Sequence, residues 1–225
     1  MDVVIFGATG MVGQGVLREC LLAEDVARVV TLGRTPAGRH HAKLRDIVQG
    51  DLFDLGTIEA ELRDLDACFF CLGVSSAGMT EAAYRRLTHD LTLSVAERLA
   101  RLNPRMTFVY VSGAGTDSSE QGRTMWARVK GQVENALTRL PFKAVFLFRP
   151  GAIQPLHGIR SKTRAYRLGY AVLGPLLALL RLALPRWILP TESLGQAMLN
   201  AARHGAPKPI LESPDIHALA QGERR

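Results

Sequence analysis

A chain that runs Val3-Val4-Ile5-Phe6 straight into Gly7-Ala8-Thr9-Gly10-Met11-Val12-Gly13 has few ways to fold. Four apolar residues read as a strand, and the glycines recur as G-x-x-G-x-x-G where that strand gives way to a helix. In such a turn Gly7 permits the tight bend, Gly10 lets backbone approach a pyrophosphate, and Gly13 lets the helix lie close to the sheet. The helix N-terminus then offers free N–H groups and the positive end of its dipole to phosphates. Glycine trios arise by chance, but this one sits between a first strand and a first helix, where a dinucleotide site requires it. Gly7, Thr9, Gly10, Met11, Val12 and Gly13 are therefore the expected phosphate-side residues. A glycine turn with a purely structural role is the plainer alternative.

Short apolar runs recur at 3–6, 28–32, 45–48, 67–71, 107–112 and 143–149, several without alternation. That is the pattern of parallel strands covered on both faces. Helical segments are expected between them at 11–23, 55–63, 80–101 and 119–140, with Thr80 and Pro104 as punctuation. The alternation predicts an α/β chain with a Rossmann-like, doubly wound parallel sheet. After Pro150-Gly151 the pattern becomes a small helical C-terminal segment: helices over 161–184 and 191–203, a short strand near Ile210 and a terminal turn. Residues 1–225 read as one domain, with 151–225 placed to cover a substrate beyond the strand ends.

Hydrophobic residues make up 47% and charged residues 22%, which argues against a disordered, collagen-like or disulfide-built chain. Cys20, Cys68 and Cys71 are an odd count, consistent with a reducing compartment. Cys68 and Cys71 lie three apart in a strand and so face opposite sides, which excludes a shared metal or a redox pair. No metal is expected. Met1-Asp2 leads directly into the first strand, so no signal peptide is expected and the chain reads as cytoplasmic.

The second strand ends Thr31-Leu32-Gly33-Arg34-Thr35, with no carboxylate for a ribose 2′-OH and one arginine for a 2′-phosphate. This favours NADPH over NADH, against a solvated loop arginine. Asp51, followed by Leu52, is placed to accept from an adenine amino group or to cap a turn. Cys71-Leu72-Gly73 ends a strand where backbone commonly passes close to the cofactor.

The turn, Leu32-Gly33-Arg34, Cys71-Leu72-Gly73, Lys130-Gly131-Gln132-Val133-Glu134, Phe148-Arg149-Pro150-Gly151 and Ala197-Met198-Leu199-Asn200 together resemble the atypical short-chain dehydrogenase/reductases. Within them the chain is similar to the oxidoreductase, HIV Tat-interacting-protein family, along nearly its whole length. The resemblance implies NADPH binding, an active site of Ser, Tyr and Lys, and backbone with an aliphatic side chain packed on the nicotinamide after the sixth strand, where Pro150, Gly151 and Ile153 are the candidates. Carried over by position, Ser112 and Lys130 are the catalytic serine and lysine, while Trp126 stands where the tyrosine should be. An indole N–H donates a hydrogen bond but supplies no proton near neutral pH. Lys130 lies on the apolar stripe of Trp126, Val129, Val133, Leu137 and Leu140, so it either finds a hydroxyl or anionic partner such as a cofactor ribose or snorkels from the stripe's edge. His157 is the nearby side chain able to replace the acid, or a loop histidine without a role.

Residues 168–180 carry no charge and are flanked by arginines; at 13 residues they are too short to span a bilayer. A lid over an apolar substrate, a dimer contact and a peripheral membrane surface are the readings. The net charge of +7 suits anionic partners, but the arginines are scattered and no nucleic-acid motif accompanies them. The functional reading is hydride transfer from NADPH to a small apolar acceptor, such as a quinone, flavin-like ring or activated alkene. A non-catalytic NADPH-binding scaffold is the alternative.

Overall fold

The computed structural model describes residues 1–159, 180, 181 and 183–222. Most of the helical segment expected over 161–184, and of the uncharged run 168–180, lies outside the described residues. The elements in order are β1 (Asp2–Phe6), α1 (Met11–Leu22), β2 (Arg28–Gly33), β3 (Leu44–Val48), a 3-10 turn (Gly56–Leu62) and β4 (Ala67–Phe70). Next come α2 (Glu81–Arg85), which passes through a π turn (Arg86–Asp90) into α3 (Leu91–Leu102), then β5 (Thr107–Val111), α4 (Met125–Leu137) and β6 (Ala144–Arg149). The chain ends with β7 (Ala152–Gln154), β8 (Ile188–Pro190), α5 (Thr191–His204), β9 (Ile210–Glu212) and α6 (Ser213–Ala220).

Seven parallel strands form one sheet in the order β3-β2-β1-β4-β5-β6-β9. The winding reverses between β1 and β4, and a crevice at that switch point is where such sheets take ligands. Alternate residues feed two cores, as the absence of apolar–polar alternation requires. Val3, Ile5 and Phe69 pack beneath α1 and α5, whereas Val4, Phe6, Cys68 and Phe70 pack beneath α3 and α4. Cys68 and Cys71 accordingly belong to opposite faces. On the second face Phe6, Phe70 and Phe108 stack in succession across β1, β4 and β5, with centroids 5.4 and 5.9 Å apart.

Thr80 accepts from the Ala83 N–H at 3.3 Å and starts α2, as expected. Asn103 ends α3 and ties it to the neighbouring loop, donating to the Leu62 carbonyl at 2.7 Å and accepting from the Leu65 N–H at 3.0 Å. The helix expected from residue 119 begins instead at Met125. Asp117 is the cause: its carboxylate accepts from the N–H groups of Ser119 (3.0 Å) and Gly122 (2.6 Å) and folds that segment into a turn. The C-terminal part contributes β9 to the main sheet and, with β7 and β8, a separate parallel pair that the residue pattern did not suggest. It is locked to α1 at Gly15, where a Cβ would lie 2.5 Å from the Thr191 carbonyl oxygen.

Candidate functional site

The glycine turn is built by close approach. Gly7 has φ +80°, and a Cβ there would sit 2.7 Å from the Leu72 backbone nitrogen at the exit of β4. A Cβ on Gly13 would sit 2.2 Å from the Gly7 carbonyl oxygen, so α1 meets the turn with no room for a side chain. Gly10 is the N-cap of α1; no side chain caps the helix and its first turn holds no acidic residue. The N–H groups of Met11, Val12 and Gly13 begin the helix without intrahelical acceptors. An uncapped N-terminus over a cradle that any Cβ would fill fits a pyrophosphate, so the residues present suit a dinucleotide.

At the exit of β2, Arg34 is exposed and makes no hydrogen bond or ion pair among the described residues. The neighbouring carboxylate, Asp46 on β3, is occupied by the Thr31 hydroxyl (2.6 Å) and the Ala37 N–H (2.8 Å). Asp51 is exposed and accepts from the Phe53 N–H at 2.9 Å, the turn-capping role weighed against adenine contact. The Leu52 side chain is buried in the second core, with Phe6 and Phe70. At the exit of β4 the Cys71 N–H donates to the Phe6 carbonyl at 2.9 Å, Leu72 abuts Gly7, and a Cβ on Gly73 would meet nothing.

Ser112 and Lys130 are brought together, but not as expected. The Lys130 ammonium donates to the Ser112 carbonyl oxygen, and burial pulls its pKa down to about 8 against the opposing pull of Glu134. The Ser112 hydroxyl is buried at 3% exposure and donates to Glu134 Oε1 at 2.5 Å, with the Phe148 carbonyl oxygen 3.2 Å away. A hydroxyl has one proton, and here Glu134 takes it. In this arrangement the Ser112 side chain ties the end of β5 to α4.

Glu134 and Arg149 are the pair that residue-by-residue reading missed. Glu134 is 1% exposed and accepts from Arg149 Nε at 3.0 Å and from its Nη2. Arg149 also reaches the Ser118 hydroxyl at 2.5 Å and approaches Glu212 at 3.6 Å. The available signal was a glutamate on the inward stripe of α4 and an arginine closing an apolar strand, two charges that a core tolerates only as partners.

Trp126 is half-buried, its indole 3.5 Å from where a Gly115 Cβ would stand. Pro150 is buried and its carbonyl oxygen accepts from the Ala114 N–H at 2.9 Å; the Gly151 N–H donates to Ser213 Oγ at 2.8 Å. Ile153 pairs with Leu189 and packs against the core beneath α1, so its side chain is already engaged in packing. His157 has φ +55° and its Nε2 lies 2.8 Å from Glu192, which gives this loop histidine a structural partner.

A glycine-turned first strand, a doubly wound parallel sheet and a lysine on α4 whose ammonium reaches the exit of β5 define the Rossmann-fold, dinucleotide-site class of protein. The chain belongs to the NAD dependent epimerase/dehydratase family, whose profile matches residues 3–124. It is 29% identical over 211 residues to the protein fmp52, mitochondrial, of Emericella nidulans, covering 89% of this chain and 86% of the relative. It is 32% identical over 172 residues to fmp52-1, mitochondrial, of Aspergillus terreus, covering 72% and 70%. Among solved structures, the Bordetella bronchiseptica enzyme WbmF in complex with NAD+ matches with TM-score 0.66 at 16% identity, covering 98% of this chain and 76% of that one. The UDP-glucuronic acid 4-epimerase of Bacillus cereus in complex with NAD matches with TM-score 0.66 at 11% identity, covering 94% and 76%. These structures share the fold. The relatives' names correct the cytoplasmic expectation, since they place those proteins in mitochondria.

Proposed function

We propose that the protein binds NADPH in preference to NADH and delivers its hydride to a small apolar acceptor. The observation that carries this reading is the uncapped N-terminus of α1 above the Gly7–Gly13 cradle. Arg34, exposed and without a partner among the described residues at the end of a strand that lacks a carboxylate, supports the choice of the 2′-phosphate. The dinucleotide supplies hydride chemistry when bound. Lys130 holds the only proton among the two candidate catalytic side chains that is not committed to a carboxylate: its ammonium is anchored by the Ser112 carbonyl oxygen and has N–H groups to spare. Without a phenol at Trp126, acceptors that need little enzymic acid suit the site, such as a quinone, a flavin-like ring or an activated alkene protonated from water. The C-terminal part, fixed to α1 at Gly15, is read as the cover over that acceptor.

The Lys-Gly-Gln-Val-Glu and Phe-Arg-Pro-Gly motifs support a placement beside the Tat-interacting-protein oxidoreductases, and the relatives' names support a mitochondrial setting. A second reading, a dinucleotide-binding protein without turnover, is favoured by Trp126 and by the commitment of the Ser112 proton to Glu134. Parallel titration with NADPH and NADH, followed by nicotinamide fluorescence, tests the first reading. Tighter NADPH binding that Arg34→Asp abolishes is the expected result; equal binding of both, or an unaffected variant, overturns the preference. A hydride-acceptor screen then separates the two readings: turnover that Lys130→Ala abolishes supports the first, and no turnover with any acceptor supports the second.

A further inference from the structure

A cavity of about 270 Å³ opens where three segments of the C-terminal part meet: the stretch before β8, the start of α5 and the end of α6. Among the described residues it is lined by Arg181, Pro185, Pro190, Ser193, His217 and Gln221. Every polar side chain in that set can donate a hydrogen bond, and none is a carboxylate. Arg181 is half-buried and forms no ion pair or hydrogen bond among the described residues. Ser193 is 7% exposed, yet its hydroxyl has no partner among them. The Nδ1 atom of His217 is buried and likewise unpartnered.

Donors gathered in a recess cost free energy unless something accepts from them. The acidic residues of α5 and α6 are engaged elsewhere, Glu192 with His157 at 2.8 Å and Asp215 with Lys208 at 2.8 Å. We propose that this cavity binds a small organic carboxylate. The Arg181 guanidinium takes both carboxylate oxygens in its fork, Ser193 and His217 donate to the remaining lone pairs, and Pro185 and Pro190 wall the carbon skeleton. One guanidinium matches one negative charge, which favours a carboxylate over a phosphate dianion. Pockets for drug-sized ligands begin at roughly 300 Å³, so this one suits an acid with a single ring or a short chain. Ser193 also stands in the first turn of α5, which no side chain caps, so the free N–H groups of that turn add to the attraction. The site shares no residue with the Gly7–Gly13 cradle and does not rest on the dinucleotide reading. Because the acid touches three segments at once, its binding ties them together and raises the melting temperature.

The test is calorimetric and thermal-shift titration of the whole chain with acetate, cyclohexanecarboxylate and benzoate, against their uncharged amides and inorganic phosphate at equal ionic strength. At least one of these acids should bind at millimolar concentration or below and raise the melting temperature, while its amide does neither. Arg181→Gln should weaken that acid at least about tenfold and Ser193→Ala about fivefold, both variants melting with the parent when no acid is present. Arg181→Lys, which keeps the charge but loses the fork, should restore only part of the affinity. Failure of all three acids to bind overturns the proposal, as does binding undiminished in Arg181→Gln. Phosphate binding tighter than every carboxylate, or an amide binding as tightly as its acid, overturns it likewise.

Discussion

Glu134→Gln is the substitution whose cost can be worked most fully from the structure. The carboxylate accepts from the Ser112 hydroxyl and from two nitrogens of Arg149, all in a core where Glu134 is 1% exposed. A glutamine whose amide oxygen stands in for Oε1 keeps the Ser112 hydroxyl and Arg149 Nε, but its NH2 faces Arg149 Nη2 with hydrogens of its own, and the buried guanidinium loses its neutralising charge. Beyond that Nε bond Arg149 would keep Ser118 and, as its nearest remaining carboxylate, the more distant Glu212 at 3.6 Å. Removing one partner of a buried pair costs about 3–5 kcal/mol. At about 2–4 °C per kcal/mol for a chain of 225 residues, that is a fall in Tm of roughly 6–20 °C. Urea denaturation and thermal melts of Glu134→Gln, Arg149→Met and the double variant Glu134→Leu/Arg149→Met give the cycle. The double variant carries no orphaned charge, and Ser112 can turn to the Phe148 carbonyl oxygen 3.2 Å away, so it should be more stable than either single variant. Single variants within about 1 kcal/mol of the parent, the range of an exposed pair, would refute the reasoning. So would additive losses in the double variant.

Lys130 is pulled from 10.5 to about 8 by burial, so between those values the unfolded chain holds a proton that the folded chain has released. Stability without cofactor should therefore rise from about pH 8 toward 10.5 in the parent relative to Lys130→Met, and parallel pH profiles of unfolding would show no divergence if the ammonium were solvated. Cys20 and Cys68 are buried with their thiol pKa values pushed up by desolvation, so a thiol reagent should label at most Cys71 in the folded protein. All 3 cysteines should react in denaturant; labelling of Cys20 or Cys68 under native conditions would contradict the two-faced core.

The parts legible in the sequence are those that short-range pattern controls. Unbroken apolar runs such as 67–71 announce strands covered on both faces, and the spacing of Gly7, Gly10 and Gly13 announces the turn before α1. Even the inward stripe of α4 is readable, with Val129, Val133 and Leu137 all fully buried. Contacts between distant segments were not readable. Glu134 and Arg149 lie fifteen residues apart on different elements, and their meeting is what takes the Ser112 proton. Asp117 delays α4 to Met125 through a turn whose strength depends on several backbone donors converging on one carboxylate. β7 and β8 pair across a long intervening segment that local periodicity does not link.

The central claim, that the turn before α1 holds a dinucleotide, is tested most directly by Gly10→Asp. Gly10 is the N-cap with φ −79° and ψ 166°, a conformation aspartate adopts readily, and its Cβ would lie 3.3 Å from the Gly7 carbonyl oxygen. An aspartate there caps the free N–H groups and complements the helix dipole, so folding stability should stay within about 1 kcal/mol of the parent. Its carboxylate also occupies the place of the pyrophosphate and repels it. Calorimetric titration should therefore show NADPH affinity falling at least about a hundredfold with the melting temperature preserved. Unchanged NADPH affinity in a folded Gly10→Asp protein would contradict the account.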